Sequence, residues 1–267
     1  MPTHDDADQL YKQAVEAAGR GDHFKAKELF EDALELYREV PGAEKDQAHC
    51  LYSLATTLLI LGKPAQAEPL YRQALTLYQT APTSERNQAQ CLYNLAISLH
   101  RLEKIDEAAP LYRQALALFR SISGTERDQA NCLDNLAACM LNLRKLSHAE
   151  SLYYQALTLY QKIPGTEYEQ ATSTYSLATT LLSQGKLDPT EALYQDALKQ
   201  AVSAALFNDE YRYQLTSPTK RRAWVTNRAQ PSMILAIALA GVLEEASLVA
   251  ELVAKWRMVG SLAATPA

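Results

Sequence analysis

Apolar and small side chains recur at a fixed interval of 41 residues along roughly the first two hundred positions of the chain. One series consists of alanines, at Ala14, Ala55, Ala96, Ala137 and Ala178. A second series consists of aromatic residues, at Phe30, Tyr71, Tyr112, Tyr153 and Tyr194. A period of about 20–50 residues is typical of a solenoid, in which one supersecondary unit is stacked repeatedly. We therefore predict five units, at residues 1–40, 41–81, 82–122, 123–163 and 164–204.

Each unit contains two stretches whose apolar positions follow the helical period of about 3.6 residues. In the second unit the first stripe consists of Leu51, Leu54, Ala55 and Leu58. Gly62 and Pro64 then mark the end of one helix and the start of the next. The second stripe consists of Ala67, Tyr71, Ala74 and Tyr78. The pattern predicts an all-α chain, a right-handed α-solenoid of about five helix pairs.

Two prolines stand inside the predicted second helices. Pro69 and Pro110 fall within the first two turns, where proline removes a backbone hydrogen bond. Either these helices begin later than Pro64 indicates, or their first turn is bent.

The last part of the chain, residues 205–267, departs from the repeat. After Pro231 the sequence is strongly helical, and one apolar seam runs through Leu235, Leu239, Val242, Ala246, Val249, Val253 and Trp256. The seam predicts a helical cap, made of one long helix or of two helices broken near 241–245. It could also serve self-association.

Composition and charge exclude several classes of protein. The net charge of −5 gives no overall attraction to nucleic acid or to an anionic membrane. The longest apolar stretch, from Met233 to Leu243, is well short of the ~20 residues that a membrane-spanning helix needs. The first twenty or so residues are acidic and show no secretory signal. We expect a cytoplasmic protein that binds neither nucleic acid nor membrane.

The cysteines follow the same period as the core. Cys50, Cys91 and Cys132 are spaced by 41 residues, and Cys139 follows them. This spacing fits neither a zinc motif nor a disulfide framework. We predict small buried thiols that fill one packing position in each unit. No metal site and no cofactor site is predicted.

These residues resemble the tetratricopeptide repeat (TPR). The small residues Ala55, Ala67 and Ala74, the aromatic Tyr71 and the glycine Gly62 stand at the spacings of that family. The long unit, with Asn94-Leu95-Ala96 and Asn135-Leu136-Ala137, is similar to the repeats of kinesin light chains. The C-terminal part, with Arg221-Arg222-Ala223-Trp224, is loosely similar to the helical connector that precedes CHAT caspase-like protease domains.

The resemblance implies a partner-binding groove lined by the first helix of each pair. Asn94 and Asn135 match the family position whose amide holds the backbone of a bound peptide, and an amide can both donate and accept hydrogen bonds. The side chains expected to select the partner are Tyr52, Tyr93, Asp134 and Tyr175. The alternative is that the tyrosines pack against neighbouring helices and the asparagines bind neighbouring backbone.

Basic residues gather near the ends of the first helices in the third and fourth units. They are His100, Arg101, Lys104, Arg144 and Lys145. They form either a solvated rim or a surface for an acidic segment of the partner. Among them, His100 and Arg101 are included in the predicted binding site.

The function expected is that of a non-catalytic scaffold that binds a protein or peptide in the groove. No nucleotide-binding, metalloprotease or serine-hydrolase motif is present, so we do not expect an enzyme. One alternative is the regulatory scaffold half of a CHAT protease system, without its catalytic domain. Another is a kinesin-light-chain-like adaptor, although no heptad coiled coil precedes the repeats. An RNA-binding solenoid would need a basic groove that the composition does not provide.

Overall fold

A computed structural model describes residues 3–80 and 85–186, together with residues 192, 193, 195–200, 202, 234, 236, 237 and 239. In these residues all regular secondary structure is α-helical, and there is no strand. The helices are α1 (His4–Gly19), α2 (His23–Glu39), α3 (Glu44–Ile60), α4 (Pro64–Thr80), α5 (Glu85–Arg101), α6 (Ile105–Arg120), α7 (Glu126–Asn142), α8 (Leu146–Tyr160) and α9 (Glu167–Ser183). Residues 192, 193, 195–200 and 202 are also helical.

The chain divides into two compact units, Met1–Leu143 and Arg144–Ala267. In the first unit each helix from α1 to α6 packs against the next one along the chain. The odd-numbered helices, here called A helices, also contact one another, α3 with α5 and α5 with α7. In the second unit α8 packs against α9. The predicted fold class, an all-α solenoid of helix pairs, is confirmed.

The turn after each A helix has the same geometry. Gly62 has a φ of 73°, in the left-handed region that glycine enters without steric cost. The Lys63 N–H donates to the Leu58 carbonyl at 2.9 Å and the Gly62 N–H to that of Leu59 at 3.2 Å. This paired arrangement satisfies carbonyls that a helix end leaves free. The prediction that Gly62 ends a helix is confirmed.

The equivalent position in the next unit is occupied by Glu103. It adopts the same left-handed conformation, with a φ of 59°. The Lys104 N–H donates to the Leu99 carbonyl at 2.9 Å, as in the unit before. A residue with a Cβ is strained in this region, so the turn is imposed on Glu103 by the repeat.

The two prolines lie within helices that begin before them. The helix α4 begins at Pro64 and contains Pro69, and α6 begins at Ile105 and contains Pro110. The alternative that these helices begin later is therefore wrong. Both prolines are exposed, and each costs its helix one hydrogen bond in the second turn.

The small residues of the repeat form the core. Ala55, Ala96 and Ala137 are each 0% exposed, as the alanine series predicts. The four cysteines are unpaired and buried, which confirms the packing role predicted for them. The Cys50 Sγ donates to the Phe30 carbonyl and the Cys91 Sγ to the Tyr71 carbonyl, both at 3.2 Å. Burial raises the pKa of both thiols to about 12, so they stay protonated.

The predicted cap, residues 205–267, lies outside the described residues except for four helical positions. Two of these, Ala236 and Leu239, are buried. The basic run at 220–222, most of the apolar seam and the question of one helix or two also lie outside them, and the boundary at residue 204 stays a prediction. Among the helices of the described part, none is long and apolar enough to cross a membrane.

Candidate functional site

A series of side-chain hydrogen bonds joins neighbouring A helices along one face. The Asn94 Nδ2 on α5 donates to the Tyr52 hydroxyl on α3 at 2.8 Å. One unit further on, the Asn135 Nδ2 on α7 donates to the Tyr93 hydroxyl on α5 at 3.1 Å. The tyrosine and asparagine of each pair are 42 residues apart, one repeat plus one position. We call these four residues the tyrosine–asparagine ladder, and the side of the A helices that carries them the A-helix face.

Between the first and second repeats the ladder has a variant. The Tyr11 hydroxyl on α1 lies 3.2 Å from the Ser53 Oγ on α3, again 42 residues apart. Serine thus takes the asparagine position here. The shorter side chain continues the bond between A helices without providing an amide.

The ladder tyrosines also pack against the second helix of their own pair. The Tyr52 ring meets the Tyr71 ring edge to face with centroids 5.8 Å apart, and Tyr93 meets Tyr112 in the same way at 5.8 Å. Burial raises the pKa of Tyr52 to about 12 and also raises that of Tyr93. Both hydroxyls therefore stay neutral and can donate or accept. The packing alternative for the tyrosines is observed, and their role in binding stays a prediction.

The predicted asparagines are half-buried on the A-helix face. Both asparagines donate hydrogen bonds within the protein. In addition to its bond to Tyr93, Asn135 donates from Nδ2 to the Asn131 carbonyl at 2.9 Å. Within the described residues no hydrogen bond reaches the Oδ1 of Asn94 or of Asn135. The ladder thus holds both amides in place between the A helices, and their oxygens receive no hydrogen bond from the described residues.

Near the start of the A helices, basic side chains lie close to carboxylates of the next repeat. The His4 Nε2 lies 3.1 Å from the Asp46 Oδ2, and the Arg86 Nη2 lies 3.8 Å from the Asp128 Oδ2. Burial raises the pKa of Asp128, and nearby arginines offset part of this effect. The neighbouring carboxylates raise the pKa of His4, chiefly through its hydrogen bond to Asp46.

Three of the predicted basic residues bind groups of the protein itself. The Arg101 Nη1 donates to the Leu59 carbonyl at 3.0 Å, and the Lys104 Nζ lies 2.8 Å from Glu68 Oε2. The His100 Nε2 lies 3.1 Å from the Asn142 Nδ2. Burial lowers the pKa of His100, so this ring is neutral at pH 7. These contacts favour a structural role for the rim over attraction of an acidic segment.

The two remaining predicted residues lie on A helices in different units of the chain. Asp134 is half-buried on α7 at the position where α3 and α5 carry tyrosine, and its charge contributes to the raised pKa of Tyr93. Tyr175 is half-buried on α9 in the second unit. In the described part of the chain no group of three His, Cys, Asp or Glu side chains is placed to hold a metal ion.

The residue pairs of the ladder can be found in the sequence at an interval of 42 residues, which an alignment of the repeats at 41 residues does not show. Aligning equivalent positions shows that Tyr52 and Tyr93 repeat, and that Asn94 and Asn135 repeat, but it does not pair them. An interval of 42 pairs each tyrosine with an asparagine. The structure shows that this interval corresponds to contact between adjacent A helices.

A family model described as "Tetratricopeptide repeat" matches residues 17–80 and 87–162, more than half of the chain. A comparison with curated protein sequences found no match.

Solved structures show the same fold at low sequence identity. The nearly identical TPR-like repeats of a putative kinesin light chain from Podosopora anserina share 17% identity, over 75% of this chain and 97% of that one, with a TM-score of 0.62. A Rap protein complexed with Competence and Sporulation Factor shares 16%, over 96% and 74%, with a TM-score of 0.59. YrrB, a TPR protein with an unusual peptide-binding site, shares 17%, over 72% and 84%, with a TM-score of 0.52. At such identities these likenesses concern the fold alone.

Proposed function

The chain belongs to the tetratricopeptide repeat family, and we propose that it is a non-catalytic scaffold that binds a partner protein or peptide along the A-helix face. The observation that carries the proposal is the tyrosine–asparagine ladder. It holds two half-buried amides one repeat apart, each with an oxygen that receives no hydrogen bond from the described residues.

The ladder suits recognition of a peptide backbone. Neighbouring packed helices lie about 8–10 Å apart, and an extended peptide advances about 3.3 Å per residue. Asn94 and Asn135 would therefore meet backbone groups about three residues apart. Because tyrosine hydroxyls hold these side chains in place, a partner would find them already positioned, which lowers the entropy lost on binding.

Backbone contacts alone would not select a partner sequence. We assign that selection to Tyr52, Tyr93 and Asp134, which are half-buried on A helices of the first compact unit. Tyr175, half-buried on α9 in the second compact unit, stays a separate candidate for partner contact. Arg101 and His100 support the site through their bonds to Leu59 and Asn142. Two structural neighbours, a Rap protein complexed with Competence and Sporulation Factor and YrrB, a TPR protein with an unusual peptide-binding site, are consistent with this use of the fold.

Two further parts of the proposal concern chemistry and compartment. The fold is generally non-catalytic, and we assign no reaction to this chain. The four unpaired cysteines fit a reducing compartment, so we place the protein in the cytoplasm.

A photo-crosslinking experiment tests the location of the partner. A photoreactive amino acid replaces Gln90, which is half-buried on α5 beside Asn94, in the full chain. The matched control carries it at Gln114, a glutamine of the same repeat that is exposed on α6. We expect position 90 to capture a partner that position 114 does not. Capture of the same partner from position 114 alone would contradict the proposed site.

A further inference from the structure

The amide of Asn135 is fixed in one orientation. Its Nδ2 donates to the Asn131 carbonyl at 2.9 Å and to the Tyr93 hydroxyl at 3.1 Å. A carbonyl oxygen only accepts hydrogen bonds, so the amide nitrogen has to face it. Both N–H groups of Asn135 are then used. The side chain can offer a partner nothing but its Oδ1, an acceptor.

The amide of Asn94 is held differently. Within the described residues its side chain bonds only to the Tyr52 hydroxyl, at 2.8 Å. A hydroxyl can accept or donate, so it imposes no orientation on the amide. One N–H of Asn94 is also unused in the observed arrangement. This side chain can therefore offer a partner a donor, an acceptor or both.

We propose that the two asparagines read different groups of the partner backbone. This inference rests on the proposed function, since it takes the partner to lie along the A-helix face. Asn135 receives a main-chain N–H and nothing else, whereas Asn94 pairs with the N–H and the C=O of a peptide group. The partner is thus an extended peptide segment that keeps a free N–H opposite Asn135. Proline, which has no N–H, is excluded at that residue.

Changes to the peptide backbone separate the two kinds of contact. The probe is a peptide selected from a displayed random library by the purified full chain. Replacing one amide by an ester removes an N–H, and replacing one carbonyl oxygen by sulfur weakens an acceptor. Each altered peptide is titrated against wild type, Asn94→Ala and Asn135→Ala. A backbone change that matters only through one asparagine loses its effect in the matching alanine variant.

We expect an ester at one residue to weaken binding about tenfold in wild type and to have no further effect in Asn135→Ala. No sulfur replacement should couple to Asn135→Ala. By contrast, an ester and a sulfur replacement should both couple to Asn94→Ala. In wild type alone, proline at the Asn135-coupled residue should weaken binding to at least the same extent as the ester, a result that does not depend on the folding of any variant.

Two results would overturn the inference while leaving the proposed function in place. One is a sulfur replacement that couples to Asn135→Ala, which would show that Asn135 donates. The other is tolerance of both ester and proline at every residue. If neither alanine variant changes the affinity of the selected peptide, the peptide does not bind at the ladder, and the proposed function fails together with the inference.

Discussion

Tyr112 should be a tyrosine whose hydroxyl the protein can lose at no cost in stability. Its ring is 0% exposed, and among the described residues its buried hydroxyl has no hydrogen-bond partner. The equivalent hydroxyl of Tyr71, one repeat earlier, lies 3.0 Å from the Thr56 Oγ1. In the repeat that contains Tyr112, Ile97 stands at the position equivalent to Thr56. The Tyr112 hydroxyl therefore lacks the hydrogen-bond partner that Tyr71 has.

The magnitudes follow from the two environments. A buried polar group without a partner costs about 1–3 kcal/mol, whereas a satisfied hydrogen bond contributes about 0.5–1.5 kcal/mol. Tyr112→Phe should therefore leave the free energy of unfolding unchanged or raise it by about 1 kcal/mol. Tyr71→Phe, the matched control, should lower it by about 0.5–1.5 kcal/mol.

Urea denaturation followed by circular dichroism measures both variants against wild type. Ile97→Thr provides a further check, because it gives Tyr112 the partner that Tyr71 has. In a double-mutant cycle, the introduced threonine hydroxyl and the Tyr112 hydroxyl should then couple favourably by about 0.5–1.5 kcal/mol. Equal destabilisation by Tyr71→Phe and Tyr112→Phe would show that the Tyr112 hydroxyl is satisfied and that the reasoning is wrong.

Three further predictions concern the core, a turn and pH. Ala96→Leu should overpack a fully buried position and lower the free energy of unfolding by about 1–3 kcal/mol; an unchanged thermal midpoint would contradict the helix packing. Glu103→Gly should raise it by about 0.5–1 kcal/mol by removing left-handed strain, after allowing for the flexibility of glycine; a lower urea midpoint would show that the strain is absent. The pKa of His4 is raised in the folded protein, chiefly by its hydrogen bond to Asp46. The contact therefore makes its full contribution to the stability of the fold below the ordinary pKa of 6.5, and that contribution is lost as the pH rises through the pKa of the folded state. Wild type should therefore lose stability over this range relative to His4→Gln, and parallel pH profiles would refute the contact.

The fold could be predicted because the same pattern of small and aromatic residues recurs in every repeat. A single unit with Ala55 and Tyr71 at helical spacing is weak evidence, but the same spacing in phase along the chain constrains every unit at once. The alanines occur where helices approach closely, and the glycine at 62 where the backbone turns left-handed. These are local requirements of packing and backbone geometry, and they can be read from residue types.

The prolines and Glu103 could not be resolved in this way. A proline in the second turn of a helix loses one hydrogen bond, which is a cost that tertiary packing outweighs at Pro69 and Pro110. Glu103 stands where the turn requires a left-handed residue, and its type gives no sign of this. In both cases the structure of the whole repeat overrides a local preference.

The candidate site could be predicted by residue and not by contact. Asn94, Asn135, Tyr52 and Tyr93 do lie together, but the sequence assigned the amides and the tyrosine rings to separate roles. Which side-chain atoms come into contact depends on how far one A helix is shifted along the next. The helical periodicity within a single repeat does not reveal that shift. The sequence left the role of the basic rim open for the same reason, because it does not show which backbone carbonyls, such as that of Leu59, lie within reach of a basic side chain.

The central claim is that a partner binds the two ladder amides, and calorimetric titration of the crosslinked partner tests it most directly. The purified partner is titrated against wild type, the double variant Asn94→Ala with Asn135→Ala, and the control Gln73→Ala with Gln114→Ala. The control also removes two amides one repeat apart, from exposed positions on α4 and α6. Circular dichroism confirms that each variant is folded, although loss of the ladder bonds should lower the stability of the asparagine variant by about 1–3 kcal/mol. We predict that its affinity falls by about 1–3 kcal/mol while that of the glutamine control does not change. Equal affinities for all three proteins would place the binding site away from the A-helix face.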